Sequence, residues 1–307
     1  MTILFNGPTL PQEIWQTALH RALAPRPLAV WPDVDPASVS TLICWRHGEA
    51  IIPHLPNLQR VITLSAGVDH LLAAGLPEGV EIIRLEDAGM GAQMAEYALH
   101  WALHFQRDFD RHIAATRAGL WEKRPYRPAS DLPCGILGFG TLGRVVADRL
   151  LAAGFPVNGW SRRGQGYPGV RPFAGADHLE AFLKASEIVI NLLPATPETR
   201  HLLDERRLAA LRPGAVVINL GRGATLDEAA LIAALNAGAL RAAVLDVTDP
   251  EPPAADSPLR RHPAVSLTPH LAAETLPDPA AAQVARVIKA VERGETPPGL
   301  VARDRGY

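Results

Sequence analysis

The chain has 307 residues, of which 48% are apolar, and its 30 Lys and Arg against 32 Asp and Glu leave a formal charge of −2. That length exceeds the usual single core and predicts two domains, while scattered charge near neutrality gives no electrostatic case for nucleic acid or an anionic membrane. Met1 to Pro8 lacks a basic n-region and breaks at Gly7-Pro8, and no apolar stretch is long enough to span a bilayer, so the cytoplasm is the expected compartment.

Apolar runs at 3–6, 28–31, 42–45, 61–64 and 81–84 alternate with helical stretches such as 11–24, the pattern of an α/β layer. Trp45 ends the third run, a place where tryptophan usually packs into a core. After the fourth comes Ser65-Ala66-Gly67-Val68-Asp69. Its small residues leave backbone amides open as an anion nest, and the rival reading is an ordinary strand-to-helix turn. A long helical pattern over 90–118 leads out of this layer, followed by a loop rich in Pro and charge at 121–133. His100 and His104 are four apart on that helix, a spacing that suits a metal. With no third ligand nearby, packing is the preferred reading and no metal is expected. Cys44 and Cys134 lie in apolar strand contexts, which predicts buried thiols and a reducing compartment.

The most informative segment is 134–154, where an apolar run leads into Gly138-Phe139-Gly140-Thr141-Leu142-Gly143 and then an amphipathic helix ended by Gly154. The spacing suits a dinucleotide: one glycine for a tight turn, one for backbone approach to a pyrophosphate, one for close helix packing. The helix N-terminus then faces the phosphate charge. A second strand at 157–160 ends in Ser161-Arg162-Arg163, where NAD-selective folds place a carboxylate. Serine and two guanidiniums instead favour a 2′-phosphate, so NADP(H) is preferred and NAD(H) is left open; the plainer reading is two solvated surface arginines. Further strands at 188–192, 215–220, 242–247 and 265–267 deliver Arg222, then Asp246 with Glu251, then His270 at their carboxyl ends, where open α/β sheets bind ligands. Thr225-Leu226-Asp227-Glu228 has capping-box spacing at the start of a helix that Gly238 ends. The last helical pattern, 283–292, has Pro277 and Pro279 near its start.

In this order the motifs resemble the D-2-hydroxyacid dehydrogenase family over essentially the whole chain. The stretches that carry the likeness are Arg84 to Met94, the Gly-rich turn, Asn219-Leu220-Gly221-Arg222-Gly223, Leu245-Asp246-Val247, Glu251-Pro252, Thr268-Pro269-His270 and Asp304-Arg305-Gly306-Tyr307. The resemblance implies an α/β fold in two domains with a cleft between them. One is a discontinuous flavodoxin-like α/β substrate domain over 1–99 and 273–307, the other a Rossmann-type doubly wound dinucleotide-binding domain over 100–272.

The likeness also implies an enzyme, an NADP-dependent 2-hydroxyacid dehydrogenase that reduces a small 2-keto acid such as glyoxylate or hydroxypyruvate. By it, Arg222 binds the substrate carboxylate and polarises the keto oxygen, His270 is the general acid, and Glu251 orients His270. Ala66 and Gly67 grip the carboxylate, and Trp45, Met90 and Gly91 wall the substrate. Gly138, Gly140, Thr141, Leu142, Gly143, Ser161, Arg162, Arg163, Leu193, Pro194, Thr199 and Asp246 would hold the cofactor, and the family assembles as homodimers. Two departures stand out: the missing acidic ribose residue, and Leu271-Ala272-Ala273 where many relatives have a glycine pair. A reductase for another 2-keto acid, such as 2-ketogluconate or phenylpyruvate, and a nicotinamide-sensing corepressor without turnover remain the alternative readings.

Overall fold

The computed structural model describes residues 2–303 and Gly306; Asp304, Arg305 and Tyr307 of the terminal motif lie outside the described residues. The chain forms two compact units, Met1–Met90 with Glu274–Tyr307, and Gly91–Ala273.

The first unit opens with β1 (Thr2–Asn6), α1 (Gln12–Leu23), β2 (Leu28–Val30), β3 (Val39–Cys44), β4 (Arg60–Thr63), α2 (Asp69–Ala73) and β5 (Glu81–Arg84). Its five strands are all parallel in the order β2-β1-β3-β4-β5, the flavodoxin-like order. Strands covered on both faces must be apolar along their whole length, and Leu42, Ile43, Cys44, Val61 and Ile62 are fully buried.

The second unit follows with α3 (Met90–Gln106), α4 (Phe109–Arg117), β6 (Cys134–Leu137), α5 (Thr141–Ala152), β7 (Val157–Ser161), β8 (Val170–Ala174), α6 (Leu179–Ala185) and β9 (Ile188–Asn191). It continues with α7 (Glu205–Ala209), β10 (Ala215–Asn219), α8 (Glu228–Asn236), β11 (Leu240–Leu245) and β12 (Val265–Leu267). The strand order is β12-β11-β10-β9-β6-β7-β8, again all parallel. It runs outward from β6 in both directions, so the Gly-rich turn after β6 sits at the point where the order reverses. The chain then returns to the first unit with α9 (Pro277–Glu292), which packs on α1. Pro277 opens α9, where a missing N–H costs nothing. Arg21 to Asp278 and Arg26 to Glu292, each 2.5 Å, join the same two helices.

Two expectations need correction. The helix predicted over 90–118 is broken: α3 ends at Gln106, α4 restarts at Phe109, and Asp108 between them is left-handed at φ 53°. Arg241 on β11 donates to both Asp108 and Asp110 at 2.5 Å, and Arg111 and Arg124 also reach Asp108, each at 3.3 Å. Hydrophobic period cannot register a break set by an arginine 133 residues away. The first unit also ends at Met90 rather than at residue 99. The reason is packing, since Met94, Ala95, Ala98, Ala102 and Phe105 of α3 share a core with Ile136, Val146 and Ile190.

Both cysteines are free and buried, and burial pushes each thiol above its ordinary range. Among the described residues no helix is long and apolar enough to cross a membrane, and no group of His, Cys, Asp or Glu suits a metal ion. The rings of His100 and His104 instead pack edge-on against Trp101, with centroids 5.1 and 5.2 Å away.

Candidate active site

The Gly-rich turn has the shape its sequence demands. Gly138 is at φ 104°, where an L side chain is strained. A Cβ on Gly143 would lie 2.7 Å from the Gly138 carbonyl oxygen, so this glycine lets α5 close onto the turn. A Cβ on Gly140, which caps α5, would meet nothing within 4 Å. That open side at a helix N-terminus fits a pyrophosphate. Leu142, partly buried, packs its side chain against the core of this unit. At the end of β7 the Ser161 hydroxyl accepts the Gly164 N–H at 3.1 Å, which shapes the loop on which Arg162 and Arg163 are exposed.

The turns after β9 and β10 are built on buried amides. Asn191 and Asn219 are fully buried; the Asn191 Nδ2 donates to the Asn219 Oδ1 at 3.0 Å and to the Thr225 hydroxyl at 2.6 Å. Asn219 Nδ2 and the Thr225 hydroxyl then donate to the Arg222 carbonyl, at 3.1 and 2.7 Å. Buried polar groups satisfied in this way specify one conformation, here that of the turn bearing Arg222, whose Nη1 donates to the Gly221 carbonyl at 2.8 Å. Sequence reasoning missed Asn191 and Thr225; the signal for the first was a lone amide closing an otherwise apolar strand. Thr225 is therefore not a helix cap: Asp227 caps α8, accepting the Ala230 N–H at 3.0 Å.

Gly223 presses directly on the next loop, since a Cβ there would stand 2.0 Å from the Thr248 carbonyl carbon. Gly223→Ala is expected to cost about 1–3 kcal/mol of stability through overpacking, read as a lower urea midpoint.

Asp246 ends β11 nearly fully buried, and its carboxylate accepts the Thr268 hydroxyl at 2.7 Å, the Leu271 N–H at 2.8 Å and the Ala272 N–H at 2.9 Å. Thr268 in turn bonds the Tyr97 hydroxyl at 2.6 Å. The Asp246 carbonyl accepts the His270 N–H at 2.9 Å, which helps hold His270 at a positive φ of 54°. Such strain persists where the surroundings over-determine it. The imidazole Nδ1 then meets Glu251 Oε1 at 2.6 Å, with both side chains partly exposed.

The sheet thus reverses at a Gly-rich turn, and Arg222 and the Glu251–His270 pair lie beyond the ends of its strands. Residues 99–272 match the profile of the D-isomer specific 2-hydroxyacid dehydrogenase NAD binding domain. The chain is 41% identical to glyoxylate/hydroxypyruvate reductase A of Serratia proteamaculans and 40% identical to that of Citrobacter koseri, in each case covering 100% of both chains. The chain belongs to the D-isomer specific 2-hydroxyacid dehydrogenase family. Among solved structures it resembles a family member from Xanthobacter autotrophicus Py2 in complex with NADPH and MES (TM-score 0.94, 39% identity, 100% of this chain and 99% of that one). It also resembles the NADPH-dependent glyoxylate/hydroxypyruvate reductase of Sinorhizobium meliloti in complex with NADP and sulfate (TM-score 0.92, 30% identity, the same coverage).

Within this 2-hydroxyacid dehydrogenase, the remaining residues expected to hold the cofactor differ in what they expose. Leu193 has its side chain in the core, and its backbone runs so close to the turn after β10 that a Cβ on Gly221 would lie 2.5 Å from the Leu193 carbonyl oxygen. Thr199 closes its own turn, donating to the Pro194 carbonyl at 2.6 Å and accepting the Thr196 N–H at 2.8 Å. In the first unit, the Ser65 hydroxyl donates to the Gly67 carbonyl at 2.6 Å. Among the described residues the Ala66 and Gly67 N–H groups donate to no protein acceptor. Trp45 is half-buried at the end of β3. Met90 is buried, its sulfur receiving the Thr275 hydroxyl at 3.8 Å, and Gly91 beside it is buried too.

Proposed function

We propose that this chain is an NADPH-dependent reductase of small 2-keto acids, taking glyoxylate to glycolate and hydroxypyruvate to D-glycerate. The observation that carries this reading is the Glu251–His270 hydrogen bond of 2.6 Å, in the same unit as Arg222 and the Gly-rich turn. The relatives named for these substrates and the neighbours bound to NADPH or NADP support it.

Bound NADPH supplies the hydride. The open face at Gly140 and the Thr141 end of α5 suit its pyrophosphate, and Ser161, Arg162 and Arg163 suit its 2′-phosphate. The backbone of Leu193, with Pro194 and Thr199, walls the adenosine side. Asp246 accepts three bonds of about four it can take, which leaves room for a carboxamide N–H. Arg222 binds the substrate carboxylate and polarises the keto oxygen, since its guanidinium is permanently charged and forked. Ala66 and Gly67 amides assist at the carboxylate, and Trp45, Met90 and Gly91 bound the pocket. His270 gives its proton to the keto oxygen as the carbinol forms, and Glu251 fixes the ring through Nδ1.

We also propose a homodimer. Phe109, Ile113, Leu120, Tyr126 and Trp121, the last 94% exposed, form apolar surface on α4 and the loop after it, and exposed apolar surface of this kind marks an interface. Nucleic acid is not a proposed partner, given the net charge of −2.

Oxidation of NADPH and, separately, NADH with each keto acid tests the reading directly. Turnover favouring NADPH is expected. Calorimetry gives a readout apart from turnover: Arg162→Ala is expected to weaken 2′,5′-ADP about tenfold or more, the scale of a charged hydrogen bond, with 5′-AMP unchanged. Cofactor binding without turnover on either acid would favour the sensing alternative.

A further inference from the structure

The capping-box spacing at Thr225 to Glu228 leaves Glu228 without the role that motif would give it, because Asp227 caps α8 instead. The Glu228 Oε1 instead accepts the Asp249 N–H at 2.9 Å. That amide lies within the segment that runs from the end of β11 to Glu251. The same loop is braced by the Thr248 hydroxyl on the Pro250 carbonyl at 2.9 Å, and by Gly223, whose missing side chain lets the Arg222 turn lie against Thr248. Asp249 is two residues from Glu251, whose carboxylate meets His270.

We propose that Glu228 is a positioning residue for the Glu251–His270 pair, fixing the 248–251 loop through the Asp249 amide. This rests on the roles given above to Glu251 and His270. Burial raises the Glu228 carboxyl above its ordinary range, the Asp249 N–H opposes that, and the Asp249 and Asp227 charges add to the rise. The charged and titratable groups around it are Asp249, Asp227 and His201, with Arg200 paired to Asp249 at 3.3 Å. A carboxylate, a carboxylic acid and an amide oxygen all accept an N–H bond, so the anchor survives loss of charge.

The test is the pH profile of kcat for the full-length protein in four variants: Glu228→Ala, Glu228→Asp, Glu228→Gln and, as control, Glu251→Gln. Glu251→Gln is expected to move the high-pH fall in keto-acid reduction to lower pH. Glu228→Ala is expected to move it the same way and lower kcat about five- to twentyfold, a loss on the scale of one hydrogen bond, with substrate KM within about threefold. Glu228→Asp, too short to reach the amide, shifts partway and keeps the test valid if the alanine variant does not fold. Glu228→Gln restores the wild-type profile.

A limb moved by Glu251→Gln but not by Glu228→Ala or Glu228→Asp overturns this proposal and leaves the Glu251–His270 reading standing. An equal shift in Glu228→Gln also overturns it, because charge rather than the anchor would then be responsible. A limb unmoved by Glu251→Gln removes the pairing itself, whatever Glu228 does.

Discussion

Arg222→Ala is expected to lower kcat/KM for glyoxylate by about 10²–10⁴, the equivalent of roughly 3–5 kcal/mol for truncating one partner of a hydrogen-bonded charge pair. Both parameters should move, KM because the carboxylate loses its cation and kcat because the keto oxygen loses its polarising group. Arg222→Lys keeps the charge and loses the fork, so it should recover only part of the loss. The guanidinium is held by the Gly221 carbonyl, and the backbone beneath it by Asn219 and Thr225. That support does not depend on the arginine side chain, so the variant should fold and bind 2′,5′-ADP normally. Wild-type kcat/KM in Arg222→Ala would remove Arg222 from the site.

His270→Ala is expected to reduce kcat by about 10²–10⁴, the range for a general acid, with a smaller change in KM. The pH profile is the sharper measurement. Reduction needs the imidazolium, so wild-type turnover falls as pH rises; oxidation of the hydroxy acid needs the neutral ring, so its rate rises over the same interval. Both limbs should vanish in the variant. A high-pH fall that persists without His270 would assign the proton to another group. The 2.6 Å bond from His270 Nδ1 to Glu251 makes Nε2 the nitrogen that delivers it.

The fold was legible in the sequence wherever one local pattern decided it. The apolar runs before Gly138 and Arg222 could only be buried strands, and the glycine spacing states a turn whose steric reasons reappear at Gly138 and Gly143. Arg222, Glu251 and His270 stood out only together, at successive strand ends and in the family's motif order, since each residue type taken singly is more often a surface or structural group. What escaped was everything decided between distant parts of the chain. Asn191 looks like the polar end of a strand until Asn219 and Thr225 are brought beside it. Asp108 breaks a helix because Arg241 lies across from it. Glu228 satisfied a local capping rule, yet its carboxylate bonds an amide 21 residues further on. That the Leu193 side chain joins the core beside Leu137 and Val217, leaving its backbone for the ligand side, is likewise decided by residues far off in the chain.

The insertion of Gly91–Ala273 as one unbroken stretch between the two parts of the first unit sets an order of events on the ribosome. The first five strands emerge early, yet α9, which packs on α1, is made almost last. At roughly 5–20 residues per second the surface of α1 waits on the order of ten to fifty seconds for its partner. The second unit needs nothing from the C-terminus to complete its own sheet, so the later-made half of this protein is the first to be finished, and the nascent first half is the part most in need of protection while translation runs.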